Sequence, residues 1–437
     1  MRRILATESH YSGMGQVLSL EEEQIVTDEA NQDLVEVESD LADGERAAEV
    51  VAGLENIEMI ASDITEATPV DIALINTAAD MATAGTGIDG EEILPAMESF
   101  TGGRISLEGI SNSARRIWAS IQEILKRIWE KVEGFFYKLF GTIPSIRKRL
   151  DALEARIDSV RSLNMETKKF TQSFGLASIS VDYSPIKDES GLLKAVDELT
   201  NTAEFIYKDG VETFAKVGKD VADVISDFSI EKKEELVKKA AGILATMGGR
   251  LTKLPGSSSI GDQSGFARKA GYQLMGNQRI VSQVAEKSDI EGVLGELDRY
   301  RRTRFEWAGA REKEGTVPAS VDFATISTSG ASALIKKMGE LLDVLEDYNR
   351  GKAWKDVKAS REALKTASKK ATSELEKIKG SSEADERAAV SYYRGLLTIN
   401  QAYAGWTSNP AAQLMSQSIR SINAVTNLIV KSLAQYK

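Results

Sequence analysis

Residues 106–140 read SLEGISNSARRIWASIQEILKRIWEKVEGFFYKLF. Apolar residues recur every three or four positions along this stretch, which predicts one face of an amphipathic helix. At 1.5 Å per residue, about 30 residues would form a rod of about 45 Å. The opposite face is basic and carries Arg115, Arg116, Lys126, Arg127, Lys131 and Lys138.

Two tryptophans, Trp118 and Trp129, anchor the apolar face of this helix, and three interpretations are open. The favoured one is core packing, because the following 300 or so residues need a hydrophobic organiser and no other predicted helix is as apolar. The second is a helix at a membrane interface, for which Trp, Phe and Ile opposite Lys and Arg are the required composition. The third is docking onto another protein, where tryptophan anchors are common.

The net charge changes sign near the start of this helix. Residues 1–98 contain three basic and 23 acidic residues, a net charge of −20, whereas residues 99–437 contain 52 basic and 43 acidic residues, a net charge of +9. Such a step is typical of an acidic tail or of a removable acidic leader. The alternative is an acidic, solvated domain beside a nearly neutral one.

Composition argues against most catalytic chemistry. The chain has no cysteine and a single histidine, His10, so thiol nucleophiles, thiolate metal sites and histidine acid–base chemistry are not expected. No phosphate-binding G-x-x-x-x-G-K-[ST] loop and no H-E-x-x-H motif occurs. We therefore expect a non-enzymatic protein without metal or cofactor. No apolar run is long enough for a transmembrane helix, and the N-terminus lacks the apolar core of a secretory signal.

The pattern along the chain predicts a mostly α fold: a long amphipathic central helix, a multi-helix body, a small β element and an acidic, weakly ordered leader. The leader spans 1–98; the remainder divides into the long helix and a charged helix (99–165), a helical region with short strands (166–330) and a C-terminal helical region (331–437). A turn at 141–144 is expected to separate the long helix from the charged one. Strands are predicted at 176–183 and 300–307, and helices at 191–207, 211–226, 230–247, 332–348, 352–379, 384–403 and 410–435.

The predicted helix 352–379 is basic and is a candidate for non-specific contacts with DNA phosphates, because such affinity comes mostly from charge neutralisation. The alternative is a solvated face whose lysine stems cover apolar surface. No base-reading motif accompanies it, so sequence-specific binding is not expected. The candidate phosphate contacts are Lys352, Lys355, Lys358, Arg361, Lys365 and Lys369.

The segment ISLEGISNSARRIWASIQEILKRIWEKVEGFFYKLFGTIPSIRKRLDALEARI, residues 105–157, resembles a recurring segment of the internal head proteins of phiKZ-like giant bacteriophages. In that family a Trp/Phe-rich helix ends in a phrase like FFYKLFG and leads through Ile-Pro into a charged helix. A fainter similarity covers residues 321–364.

The resemblance implies a virion protein made as a precursor, packaged in the prohead and trimmed by a prohead protease that cuts after Glu in a small-x-Glu motif. Ala96, Met97 and Glu98, followed by Ser99, fit this motif where the charge changes sign. Glu108 and Glu8 are the alternative sites. The motif is short and recurs elsewhere in the chain; matches that end at Glu55, Glu154 and Glu362 are examples, the last two in predicted helices.

The predicted function is therefore that of an internal head protein that accompanies genomic DNA. Its expected partners are the prohead protease, other virion proteins and double-stranded DNA bound non-specifically. The expected location is the phage head and, if the protein is ejected with the DNA, also the host cytoplasm. The rival hypotheses are a membrane-active helical protein and a structural capsid or scaffold component.

Overall fold

The computed structural model describes residues 108–229, 231–261, 265–288, 290–310, 315–378 and 384–436, with the side chains of the first helix described from residue 126. The acidic leader, including Glu8 and the motif at 96–99, lies outside these residues. The described chain is mostly α-helical with small sheets, as the sequence predicts. Its helices are α1 (Glu108–Val160), α2 (Glu189–Glu204), α3 (Val211–Ser226), α4 (Lys233–Leu251), α5 (Gly292–Arg301), α6 (Thr328–Arg350), α7 (Lys352–Ile378), α8 (Ala384–Ser408) and α9 (Ala411–Leu433).

Helix α1 runs without interruption through Pro144, so the predicted turn at 141–144 is wrong. Proline has no N–H and leaves one helical carbonyl without its usual donor, at a cost of about 3 kcal/mol or more. Burial offsets that cost: Ile143 and Ile146, on either side of the proline, are each 1% exposed. At about 1.5–3 kcal/mol for each buried aliphatic side chain, tertiary packing outweighs the local preference for a turn.

Helix α9 is the most completely enclosed element of the described body. It packs against α1, α2, α6 and α8. Its buried residues cover nearly its whole circumference, and small alanines and serines lie between the larger Leu, Ile and Val side chains. Helix α1 therefore lays one face on a core that α9 completes.

The serines of α9 can be buried because their hydroxyls are hydrogen-bonded. Ser418 donates to the carbonyl of Leu414 at 2.7 Å, within the helix. Ser421 accepts from Gln417 Nε2 at 2.9 Å and donates to the carbonyl of Ser178 at 3.1 Å. A satisfied hydroxyl avoids the penalty for burying a lone polar group and leaves room for close helix packing.

Helices α3 and α7 form the most extensive helix pair in the described body and run in the same direction. A Cβ added at Gly218 of α3 would lie 2.5 Å from the ring of Tyr403, and the hydroxyl of Tyr403 shares a 2.7 Å hydrogen bond with Ser360 of α7. Further along, Lys370 of α7 donates to the carbonyl of Ser226 at 2.7 Å, where α3 ends. Glycine at 218 is thus required by the close approach of a tyrosine from α8.

Helix boundaries agree well with the sequence pattern. The predicted helices at 191–207, 211–226, 332–348, 352–379, 384–403 and 410–435 all exist, and α4 corresponds to the predicted helix at 230–247. Between α2 and α3 the chain makes a π-helical segment, Phe205–Gly210, instead of a break. Asp188 caps α2 by accepting from the backbone N–H of Gly191 at 2.8 Å.

In the described part of the chain the β structure forms three small units, where the sequence predicts a single small element. Antiparallel pairs join β1 to β8 and β2 to β3, and a four-stranded antiparallel sheet has the order β4–β5–β6–β7. The strands are β1 (Lys169–Gln172), β2 (Ser180–Val181), β3 (Ser184–Pro185), β4 (Ser258–Ser259), β5 (Phe266–Leu274), β6 (Gln278–Ala285), β7 (Arg304–Gly309) and β8 (Val321–Ala324).

Both predicted strands need correction. The stretch 176–183 begins as a 3-10 turn, Ala177–Ile179, and only two of its residues form β2. Asp182 and Tyr183 then adopt positive φ angles of 52° and 61°, which make a tight turn into β3. The stretch 300–307 starts within α5, and its strand, β7, begins at Arg304.

Candidate functional site

Helix α7 separates cleanly into a buried and an exposed face. Eight residues before its last turn pack inward at helical spacing and explain why this charged sequence is held in the fold. They are Ala353, Trp354, Val357, Ser360, Leu364, Ala367, Ser368 and Ala371.

Four lysines lie along the exposed side and form what we call the lysine row, Lys355, Lys358, Lys365 and Lys369. With 3.6 residues per turn they share a strip less than a quarter of the circumference wide and about 21 Å long. Glu362 lies in the same strip and is 3.3 Å from Lys365. Within the described residues Lys355 and Lys369 have no ion-pair partner, and Lys358 lies 5.9 Å from the ring of Trp354. The strip therefore has a net charge of +3.

The other two candidate phosphate contacts are placed differently. Lys352, at the start of α7, is 3.9 Å from Asp356, and both side chains are largely exposed. Arg361 points toward α1, where it pairs with Glu133 at 2.7 Å, and its guanidinium lies 4.8 Å from the centre of the Trp129 ring. Only 17% of the Arg361 side chain is exposed, so this residue joins two helices. Sequence spacing gives no signal for Glu133 as its partner.

Four exposed lysines elsewhere in the body are arranged differently from the lysine row. Each lies four residues from a carboxylate in the same continuous helical stretch, at a nitrogen–oxygen distance of 3.8 Å or less. These pairs are Lys194–Glu198, Lys208–Glu204, Lys216–Asp220 and Lys238–Glu234. Their positive charge is balanced locally, whereas most of the charge of the lysine row is not.

The aromatic face of α1 is largely buried where its side chains are described, with Phe140 half-buried at its edge. Trp129 is 4% exposed, and Phe135 and Phe136 are 1% exposed or less. Phe136 lies 5.0 Å from Trp354 and 5.4 Å from Tyr348, between ring centres. Trp118 lies in the first part of α1, before the described side chains. In the described part of the chain no helix combines the length and apolarity needed to cross a membrane.

Two tyrosines beside this face differ in how their hydroxyls are satisfied. Tyr207 and Tyr348 pack with their ring centres 4.5 Å apart. Burial raises the pKa of both phenols, which therefore stay neutral. Tyr207 donates to the carbonyl of Ala411 at 2.7 Å, but the hydroxyl of Tyr348 has no hydrogen-bond partner among the described residues.

The described residues form a mostly helical fold in which α7 carries an exposed cationic strip. A family model for phiKZ-like phage internal head proteins matches residues 21–429, and the chain therefore belongs to this family. These are structural virion proteins of the phage head interior, which places the chain inside the head among other virion components. Comparisons with curated proteins and with solved structures found no match.

Proposed function

We propose that this internal head protein is made as a precursor whose acidic leader is removed by the prohead protease after Glu98, leaving Ser99 as the new N-terminus. The charge step supports this position, because cleavage there removes a segment of net charge −20 and leaves a body of +9. Glu108 and Glu8 are the alternative sites.

Two competing small-x-Glu matches are poor substrates in the folded body. Glu154 lies within α1 and Glu362 within α7. The residues that precede them are packed against neighbouring helices, with Leu153 6% and Ser360 2% exposed. A protease needs an extended, accessible chain, so cleavage at these two helical matches is not expected in the folded body.

We further propose that the mature body is packaged with genomic DNA, contacts its phosphates through the lysine row and leaves the head with the DNA for the host cytoplasm. The single observation that carries the proposal is the exposed strip of four lysines on a helix whose other face is fixed in the core. Duplex DNA presents one negative charge about every 1.7 Å along its axis, so a strip about 21 Å long can face many phosphates without reading bases.

The first experiment is the intact mass and N-terminal sequence of the protein taken from phage particles. A chain that starts at Ser99 supports cleavage after Glu98, and one that starts at Gly109 moves the site to Glu108. A chain that starts at Met1 or Arg2 contradicts removal of the leader.

DNA contact is tested separately, by measuring how the affinity of the mature protein for duplex DNA depends on salt. Replacing all four residues of the lysine row by glutamine is expected to reduce the slope of log K against log salt by about 3 to 4, since each phosphate contact contributes about 0.9. The matched control replaces Lys194, Lys208, Lys216 and Lys238 by glutamine, with the same loss of charge. Equal slopes for the two variants would contradict a role for the lysine row.

A further inference from the structure

Among the described residues of α7, Glu362 is the one carboxylate within the strip of the lysine row, which keeps a net charge of +3. Lys355 and Lys358 are three residues apart and Lys365 and Lys369 are four apart, so like charges face each other along α7. Each such pair destabilises a helix by about 0.2–0.5 kcal/mol. An anionic cover would remove this repulsion, and Glu362 supplies only one negative charge within the strip.

The same chain contains a segment of opposite charge. Residues 21–45 hold 11 acidic residues and no lysine or arginine. No other stretch of that length before α1 is as strongly charged. The charged residues of this segment are all acidic, and those of the lysine row are mainly basic. This complementarity favours contact between them at the ionic strength of a cell.

The direction of α1 puts its first residue, Glu108, toward the end of α7 that carries Lys369. On α1, Trp129 contacts Arg361 and Phe136 contacts Trp354. The step from the first contact to the second is seven residues forward along α1 and seven residues backward along α7, so the two helices run in opposite directions. Measured along the helix, Glu108 lies about 32 Å from Trp129, beyond the level of Lys369. The 62 residues between 45 and 108 can span up to about 200 Å, which is ample for the acidic segment to reach the row.

We propose that residues 21–45 dock on the lysine row of their own chain and compete there with DNA. The inference rests on the proposed function and assigns its regulation: the precursor is autoinhibited, and removal of the leader exposes the row. Because the segment is tethered, its effective concentration at the row is of the order of millimolar, enough for a weak contact to reduce DNA binding.

Zero-length carbodiimide crosslinking of the full-length precursor, read by mass spectrometry, tests the docking without DNA. Amide links are expected from the carboxylates of residues 21–45 to the four residues of the lysine row, and they should disappear in 1 M salt, where the screening length is about 3 Å. Links from this segment mainly to other lysines, or no links at all, would overturn the proposal. Mixing isotopically light and heavy protein distinguishes the occupants, since links of mixed mass would show docking onto a second copy and refute docking within one chain.

A second arm measures duplex-DNA affinity of full-length charge variants. One variant converts the 11 acids of residues 21–45 to their amides, and the matched control converts the 11 other acids of residues 1–97. The first should raise affinity about tenfold and the second at most about threefold, because only the first frees the row. Equal increases would mean that net charge alone acts, and would overturn the docking. If neither precursor nor mature protein binds DNA, the proposed DNA contact fails, while the crosslinks still decide whether the segment docks.

Discussion

The pairing of Arg361 with Glu133 predicts that one cation of α7 serves stability and not DNA. In Arg361→Met the stem stays, while the 2.7 Å ion pair and the contact with the Trp129 ring are lost. Two charges 4 Å apart interact by about 1 kcal/mol in water and about 4 kcal/mol near a protein surface. Glu133 is 44% exposed, which puts the pair toward the lower value. With about 0.5–2 kcal/mol for the cation–π contact, we expect a loss of about 1.5–3 kcal/mol.

A double-mutant cycle isolates the ion pair. Glu133→Gln, Arg361→Met and the double variant are compared by urea unfolding, followed by tryptophan fluorescence, and the expected coupling energy is about 1 kcal/mol. The control cycle uses Lys352→Met with Asp356→Asn, a largely exposed pair at 3.9 Å on the same helix, for which about 0.3 kcal/mol or less is expected.

A coupling energy below about 0.3 kcal/mol for Glu133 and Arg361 would refute the reasoning, because it would mean that the guanidinium is solvated. DNA binding supplies an independent check. Arg361→Met should leave the salt dependence of DNA affinity unchanged, whereas loss of the lysine row should reduce it. A reduced salt dependence in Arg361→Met would return this arginine to the phosphate contacts.

Three further predictions concern the body. Gly218→Ala should lower the free energy of unfolding in urea by about 1–3 kcal/mol, because its Cβ would meet a tyrosine ring at 2.5 Å. The control, Gly242→Ala, has open space around it and should raise the free energy of unfolding by about 0.5–1 kcal/mol. Tyr348→Phe should be neutral or stabilising, and Tyr207→Phe should lose about 1 kcal/mol with its hydrogen bond; the reverse order would contradict the geometry. The backbone hydrogen bond that Asp188 accepts from Gly191 lowers the pKa of its carboxyl below the ordinary 3.8. The ionised carboxylate therefore adds to the free energy of unfolding above pH 3.8, and this addition is lost as the pH falls through the folded-state pKa. Asp188→Ala should therefore cost about 1 kcal/mol at pH 7, and this cost should shrink as the pH is lowered below 3.8.

The sequence predicts the helices well where apolar spacing is regular and the flanking residues are clear. Helix α3 begins and ends at the residues expected from the pattern. The long hairpin of β5 and β6 was missed because Gly271 and a bulge between Ala270 and Gln273 break the alternation of β5. The Gly276-Asn277 pair, both with positive φ, is a turn signal that could have revealed it.

Two features depend on tertiary packing that spacing alone does not show. Pro144 is a strong local signal for a helix end, yet buried isoleucines on both sides keep α1 continuous. The six candidate phosphate contacts are all cationic and all on α7, but Arg361 lies at the edge of the buried face and meets Glu133 from a helix more than 200 residues earlier. The four lysines of the row lie on the side away from the core.

The burial of α9 has a consequence for biosynthesis. About 270 residues separate the end of α1 from the end of α9, and ribosomes add about 5–20 residues per second. The apolar face of α1 therefore spends about 15–55 s outside the ribosome before the last helix it packs against has been made. Folding of the core must wait until α9 has been made, and a ribosome that stops before residue 411 releases a chain in which α1 lacks one of the helices that it packs against.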